Sequence, residues 1–345
     1  MRNCWIRVFA AAIVCILLGG CGKPDVDKTK DASVSETEQP DSHQDTTAEV
    51  QPGGKDTAAA EQNGQKENVT EQDGKENAET ETQQDNGTQK KEAIEILHFV
   101  DVFGKKYKTK INPKVKKHDY DLQAFSRKGD QLFYNGDARY TSRLGVDVSE
   151  HQGAIDWNRV KAAGYEFAFI RIGYRGYGQA GRVCLDRQFV DNIRGAQAAG
   201  IDVGVYFFSQ AINEEEAAEE ARFVLENLAG YGLQLPVVYD PESILDAEAR
   251  TDHVPGSQFT KNTRVFCQMI EEAGFEPMIY SNMLWEAFEF KLARLSEYPI
   301  WYADYEPLPQ TPYHFQYWQY SNEGAVDGIA GNCDLDIQML PVQGT

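Results

Sequence analysis

The chain has 345 residues and carries 54 acidic against 34 basic side chains, a formal net charge of −20. That balance argues against nucleic acid as a partner, and from Gly145 onward, with 30 acidic against 13 basic residues, against general adhesion to anionic membranes or wall polymers. The length allows one large α/β domain with accessory segments.

Arg2 and Arg7 precede an apolar run, Val8 to Leu18, which is short for a membrane span and suits the core of a signal peptide. It ends at Leu18-Gly19-Gly20-Cys21, and small residues directly before a cysteine resemble a bacterial lipobox. Residues 1–21 are therefore expected to be a lipoprotein signal peptide, with Cys21 lipidated as the mature N-terminus; the alternatives are an ordinary signal peptide or an uncleaved anchor. Each places the bulk of the protein outside the cytoplasm. With Cys21 lipidated it is tethered to the bilayer at the outer face of the bacterial cell membrane.

Residues 22–92 lack aromatic side chains and are rich in Asp, Glu, Gln, Thr, Asn, Lys and Gly. Such a segment cannot bury enough apolar surface to offset its conformational entropy, so a disordered acidic linker is expected, with a root-mean-square reach of roughly 45–50 Å. Beyond Cys21 only Cys184, Cys267 and Cys333 remain, which read as small buried apolar residues. No CxxC or Cys/His spacing suggests zinc, and neither metal nor cofactor is expected.

Residues 93–143 alternate short apolar runs with Lys-rich turns and predict a small β-rich lead-in, with Asn135-Gly136 as a hairpin turn. From 144 to 345 strands alternate with amphipathic helices. Strand-like runs at Gly145–Val148, Phe167–Ile172, Val203–Phe208, Val237–Asp240, Pro277–Tyr280, Ile300–Ala303, Phe315–Gln319 and Asp334–Ile337 are interleaved with predicted helices near 157–163, 186–199, 214–228 and 260–273. Eight strands, with no room for full helices near the end, predict an α/β fold: an irregular TIM-like (β/α) barrel lacking helices in its last third.

Asp240 and Glu242 end the fourth of these strands. Side chains alternate along a strand, so the two acids face the same side about 6–7 Å apart. Such a pair suits cleavage of a glycosidic bond, one acid protonated and one ionised. Pro241 between them lacks an N–H, which suits the end of a strand. Asp147 near the end of the first strand, Asp304 after the sixth and Asp334 at the start of the last bring further acids toward the same barrel mouth.

With these residues in view, the chain resembles the glycoside hydrolase family 25 lysozymes, the muramidases of bacteria and phages, from Gly145 to about Leu340. The likeness rests on Asp147-Val148-Ser149-Glu150-His151-Gln152-Gly153 with Ile155-Asp156-Trp157, on Asp240-Pro241-Glu242, on Trp318-Gln319-Tyr320 and on Asp334-Leu335-Asp336. It implies a barrel with incomplete helices that cleaves the β-1,4 bond between N-acetylmuramic acid and N-acetylglucosamine in peptidoglycan. It also implies Glu242 as general acid, Asp240 as its partner, acting as nucleophile or by orienting the sugar's acetamide, and Asp147 and Asp334 as the other active-site acids. Where many members have a Lys-x-Ser/Thr-Glu-Gly run, this chain reads Arg171-Ile172-Gly173-Tyr174-Arg175-Gly176, without the glutamate.

Tyr206, Trp301, Tyr302 and Trp318, at or near strand ends, are candidates for stacking on sugar rings, with core packing as the alternative for each. Asp304 is a further candidate for binding substrate, and Arg171 and Arg175 for contacting an anionic group. Trp157 reads as core, and His151 as a hydrogen-bonding residue. Peptidoglycan glycan strands are the expected partner, and a monomer the expected state. A glycan-binding lipoprotein without activity, or a hydrolase of another N-acetylglucosamine polymer, are the rival readings.

Overall fold

The computed structural model describes residues 94–245 and 247–342. The expected signal peptide, Cys21 and the linker lie outside the described residues. The described residues belong to one compact unit, and its core draws on side chains from Phe99 to Met339.

The lead-in holds two hairpins. Strand β1 (Ile96–Val100) pairs antiparallel with β2 (Lys106–Lys110), and β3 (Phe125–Lys128) with β4 (Gln131–Tyr134). The second hairpin turns at Gly129-Asp130 rather than at the expected Asn135-Gly136, which follows β4. Gly129, at φ +61°, supplies the left-handed conformation that a two-residue loop demands. Only this dipeptide has strands of matching length on both sides.

Nine more strands follow: β5 (Tyr140–Val148), β6 (Tyr165–Arg175), β7 (Val183–Leu185), β8 (Asp202–Ser209), β9 (Val237–Pro241), β10 (Pro277–Asn282), β11 (Ile300–Ala303), β12 (Tyr317–Gly324) and β13 (Cys333–Pro341). Eight of them close into a barrel in the order β5-β13-β12-β11-β10-β9-β8-β6, with β6 returning to β5. Strand β7 is a short antiparallel addition to the end of β6. Pairing is parallel from β5 through β12, but β13 runs antiparallel to both β12 and β5. It therefore starts at the mouth where the other strands finish.

Helices α1 (Trp157–Ala162), α2 (Phe189–Ala198), α3 (Glu214–Leu228) and α4 (Gly256–Glu272) pack around the first part of the barrel. After α4, a π-helical turn over Trp285–Glu289 and a 3-10 turn over Leu292–Arg294 connect β10 to β11. The result is a mixed α/β fold with a closed eight-stranded barrel and few helices. Helix α3 shows how local chemistry sets an end: the Asn213 side chain accepts from the Glu216 N–H at 2.9 Å, and Glu214, Glu215 and Glu216 complement the positive end of the dipole.

Strand alternation divides the barrel residues into two sets. Outward-facing Val146, Ile170, Val205, Tyr239, Tyr302, Trp318 and Ile337 join the main core beneath the helices. Inward-facing Phe167, Phe169, Val238, Met278, Trp301 and Tyr317 form a separate interior cluster. Two glycines make room for these rings. A Cβ on Gly145 would stand 2.2 Å from the Phe167 ring, and one on Gly204 2.5 Å from Phe169. The aromatic plug fills the barrel, so polar chemistry is confined to the mouth above it.

Candidate active site

Five carboxyls meet at that mouth. Asp147 lies near the end of β5, Asp240 near the end of β9, and Glu242 just beyond it. Asp334 and Asp336 belong to β13, where Asp334 pairs in register with Asp147. Asp147, Asp240 and Asp336 are buried, whereas Glu242 and Asp334 are half-buried at the rim. Of the five acids that the sequence directs to this mouth, Asp147, Asp240, Glu242 and Asp334 are brought together, Asp304 is not, and Asp336 joins them.

The electrostatics follow from this crowding. Burial pushes the Asp240 carboxyl well above the usual carboxylate range, and the neighbouring Glu242 charge adds to the effect. Burial raises Glu242 too, partly offset by a hydrogen bond with Asp240. Both acids are thus raised by burial, and two interacting carboxyls titrate as a pair. Asp334 is pushed up to about 7 by burial and the Glu242 charge. Asp147 rises through burial and then through the charges of Asp334 and Asp336. Asp336 also rises through burial: Trp301 Nε1 donates to its Oδ1 at 2.8 Å, while its Oδ2 finds no donor.

Several supporting residues escaped the sequence reading. Gln319 Nε2 donates to Asp147 Oδ2 at 2.7 Å, and Gln319 Oε1 accepts from the hydroxyls of Tyr280 at 2.8 Å and Tyr305 at 2.9 Å. These three bonds fix which way the amide points and hold Asp147 in place. Gln210 donates to the Glu242 carbonyl at 2.7 Å and accepts from Thr251 Oγ1 at 2.8 Å, which anchors the segment after β9. Asp336 lies two residues from Asp334 on one strand and so shares its face, a signal the sequence carried; Tyr280 and Gln319 needed the register of their strands. Tyr305 and Gln210 sit beyond strand ends and gave none.

The aromatic candidates divide differently from expectation. Tyr206 faces inward on β8, where its ring meets Trp301 at 5.9 Å, and its hydroxyl is raised by burial and then by the charge of Asp147. Trp301 points inward but is 1% exposed; its ring stacks on Phe169 at 4.6 Å and forms the floor under Asp336. Tyr302 and Trp318 are fully buried on the opposite parity, outside the barrel wall. None of these three leaves a ring face for a sugar. Asp304 is likewise turned away: it accepts from the Tyr302 hydroxyl at 2.7 Å and from the Gln310 N–H at 2.9 Å, bracing the loop after β11.

Arg171 stands near enough to Asp240 to oppose the rise of its pKa, and is held by Asp186 at 2.7 Å and Glu150 at 3.6 Å. Arg175 is buried among Glu219, Glu220 and the Gly181 carbonyl, where no ligand reaches it. His151 is exposed on the turn after β5, and Trp157 is buried as expected. Cys267 and Cys333 are buried, while Cys184 is only half-buried. Among the described residues no cluster of His, Cys, Asp and Glu has the arrangement of a metal site. A cavity of about 440 Å³ lies elsewhere, lined by Lys110, Glu286, Lys291 and Tyr313 among others. The convergence of acids, not cavity volume, marks this mouth as the chemical centre.

A barrel of this kind with paired carboxyls at its mouth defines a glycoside hydrolase architecture. The profile of the glycosyl hydrolases family 25 matches residues 146–329, more than half of the chain, and the chain belongs to that family. Asp334 and Asp336 lie just past the matched span. The chain is 26% identical over 193 residues to an autolytic lysozyme of Clostridium acetobutylicum, covering 56% of this chain and 54% of that protein. It is 30% identical over 210 residues to YegX of Escherichia coli strain K12, covering 58% of this chain and 70% of that protein. The chain thus spans about half the length of the clostridial relative. The modular autolysin LytC from Streptococcus pneumoniae shares the fold, with a TM-score of 0.51 at 21% identity, covering 70% of this chain and 56% of that one.

Proposed function

We propose that this protein is a lysozyme that hydrolyses peptidoglycan at the β-1,4 bond between N-acetylmuramic acid and N-acetylglucosamine. The observation that carries the reading is the convergence of Asp240 and Glu242, both raised by burial, with Asp147 and Asp334 at the mouth of a barrel of this family. Two interacting carboxyls that hold one proton near neutrality are the equipment for protonating a glycosidic oxygen.

Glu242, at the rim, is the proton donor. When a sugar covers the mouth, Glu242 loses its remaining water and its pKa rises further, which holds the pair's proton on it. Glu242 then gives that proton to the leaving oxygen as the bond to the anomeric carbon breaks. Asp240, now ionised, stabilises the developing positive charge. It does so by orienting the sugar's acetamide, whose oxygen attacks the anomeric carbon; direct attack by Asp240 is the alternative. Water completes the hydrolysis, with Glu242 taking back a proton. Asp147, fixed by Gln319, and Asp334 bind water or sugar hydroxyls and keep the field at the mouth negative. Tyr206 lines the same mouth and contacts substrate.

The location belongs to the same proposal: a lipid on Cys21 and a linker of residues 22–92 would let a monomeric barrel work on the wall from the outer face of the membrane. Incorporation of labelled fatty acid that is lost in Cys21→Ala tests the anchor.

The activity is tested on purified peptidoglycan with the wild type and Glu242→Gln, reducing the released fragments with borohydride before mass spectrometry. Reduced muramic acid at new ends, absent with Glu242→Gln, is the expected result. Reduced glucosamine ends would show that a different bond is cut, and binding without fragments would show a glycan-binding protein instead.

A further inference from the structure

Nine large apolar side chains stand exposed among the described residues, and four of them, Ile94, Ile96, Val102 and Phe103, sit in or beside the β1–β2 hairpin. Val102 and Phe103 occupy its tip at 66% and 71% exposure. The tip is an ordered turn: Asp101 Oδ1 accepts from the Phe103 and Lys105 N–H groups at 2.9 Å each. These side chains are held out by a built structure.

The same hairpin carries concentrated positive charge. Residues 105–117 include seven lysines and no acid. In β2, Lys106, Lys108 and Lys110 alternate with Tyr107 and Thr109, so the three lysines share one exposed face. Their cross-strand partners are Val100, His98 and Ile96. The opposite face is packed down: Phe99 and Tyr107 stack at 5.3 Å and both meet Phe288, at 6.2 and 5.9 Å. Gln310 bonds to both backbone groups of Val100 at 2.8 and 3.0 Å, and the His314 N–H donates to the Lys116 carbonyl at 2.9 Å. The basic face is thus rigidly mounted on a domain that is strongly acidic from Gly145 onward.

Lysines on an open sheet edge have a simple structural use in blocking edge-to-edge pairing. That use does not explain Val102 and Phe103, which would be better polar if solubility were the only concern. Exposed apolar side chains flanked by lysines match a surface that is anionic outside and apolar just beneath. An anionic polymer would engage the lysines but leave Val102 and Phe103 without a contact. We propose that the β1–β2 hairpin docks on an anionic lipid surface, with Val102 and Phe103 entering the headgroup–acyl boundary and Lys106, Lys108 and Lys110 on the headgroups. Repulsion between the lipid and the acidic barrel holds the rest of the domain away from the bilayer.

The fragment from residue 85 to 345, which contains the whole described core, is the protein to test, because it leaves out Cys21. Its binding is measured by co-sedimentation with vesicles of phosphatidylcholine alone and with added phosphatidylglycerol. Binding only to the anionic vesicles is expected, falling at least about tenfold in Lys106→Glu/Lys108→Glu/Lys110→Glu and severalfold in Val102→Ser/Phe103→Ser. Both variants should keep the wild-type melting temperature, since all the substituted side chains are exposed. Equal binding to both vesicle types, or anionic binding unchanged in the lysine variant, overturns the proposal. Preference for soluble glycerol-phosphate polymer over vesicles, insensitive to Val102→Ser/Phe103→Ser, overturns it in favour of an anionic polymer.

Discussion

Two sets of buried acids sit within this barrel, and they are treated in opposite ways. On the outer side Glu220 is fully buried, yet both its oxygens have donors: Arg175 Nε at 2.7 Å and Ser209 Oγ at 2.7 Å. Arg175 in turn reaches Glu219 and the Gly181 carbonyl, each at 2.7 Å. Burial still pushes Glu220 up to about 7, with Arg175 and Ser209 opposing it. At the mouth, Asp240 Oδ1 and Asp336 Oδ2 have no donor, and the nearby cation, Arg171, is already engaged by Asp186. The first set is neutralised for the sake of the fold. The second is left short of partners, the arrangement that the proposed proton transfer calls for.

This contrast gives its sharpest test in Glu242→Gln, which should lower the release of reducing ends from peptidoglycan by about 10²–10⁴-fold. Its melting temperature should stay at or above that of the wild type, because the change relieves crowding among acids. A large loss of stability would mean that the mouth is organised like the Glu220 site. Arg175→Met is the mirror experiment. It strands Glu220 without its cation and should cost about 3–5 kcal/mol in urea unfolding, while the molecules that remain folded keep their specific activity.

Gln319→Leu tests a residue between the two regimes. It removes the donor to Asp147 and leaves the Tyr280 and Tyr305 hydroxyls without their acceptor, with an expected loss of about 1–3 kcal/mol in stability. Asp147 would also hold its proton to higher pH, so the acid side of the rate profile should move upward. An unchanged profile would reduce Gln319 to a packing role.

The smallest expected effect concerns pH. The folded-state value of Asp334 is about 7, against an ordinary 3.8. Between those values the folded protein binds more protons than the unfolded chain, so stability falls as pH rises through this window. Asp334→Asn should flatten that slope, raising the melting temperature at about pH 8 more than at about pH 5. Equal shifts at both would show that Asp334 is not perturbed.

Residue order and chemistry alone revealed much of this protein. Alternation along short apolar runs located the eight barrel strands. Asp240 and Glu242, two residues apart at a strand end, could be placed on one side of the sheet before any fold was known, because strand periodicity is a local property. Nearness to a strand end, used without a register, misled for Tyr302, Trp318 and Asp304. Which parity faces inward depends on how β11 and β12 join their neighbours, and that is not written in either segment. Trp301 has the right parity but the wrong height, since depth within a barrel is set by stagger between strands. The antiparallel β13 and the Gly129-Asp130 turn were decided by pairing partners distant in the chain. So were the bond from Gln319 to Asp147, 172 residues apart, and the raised pKa values of Asp240 and Glu242, which follow from burial that only the closed barrel provides.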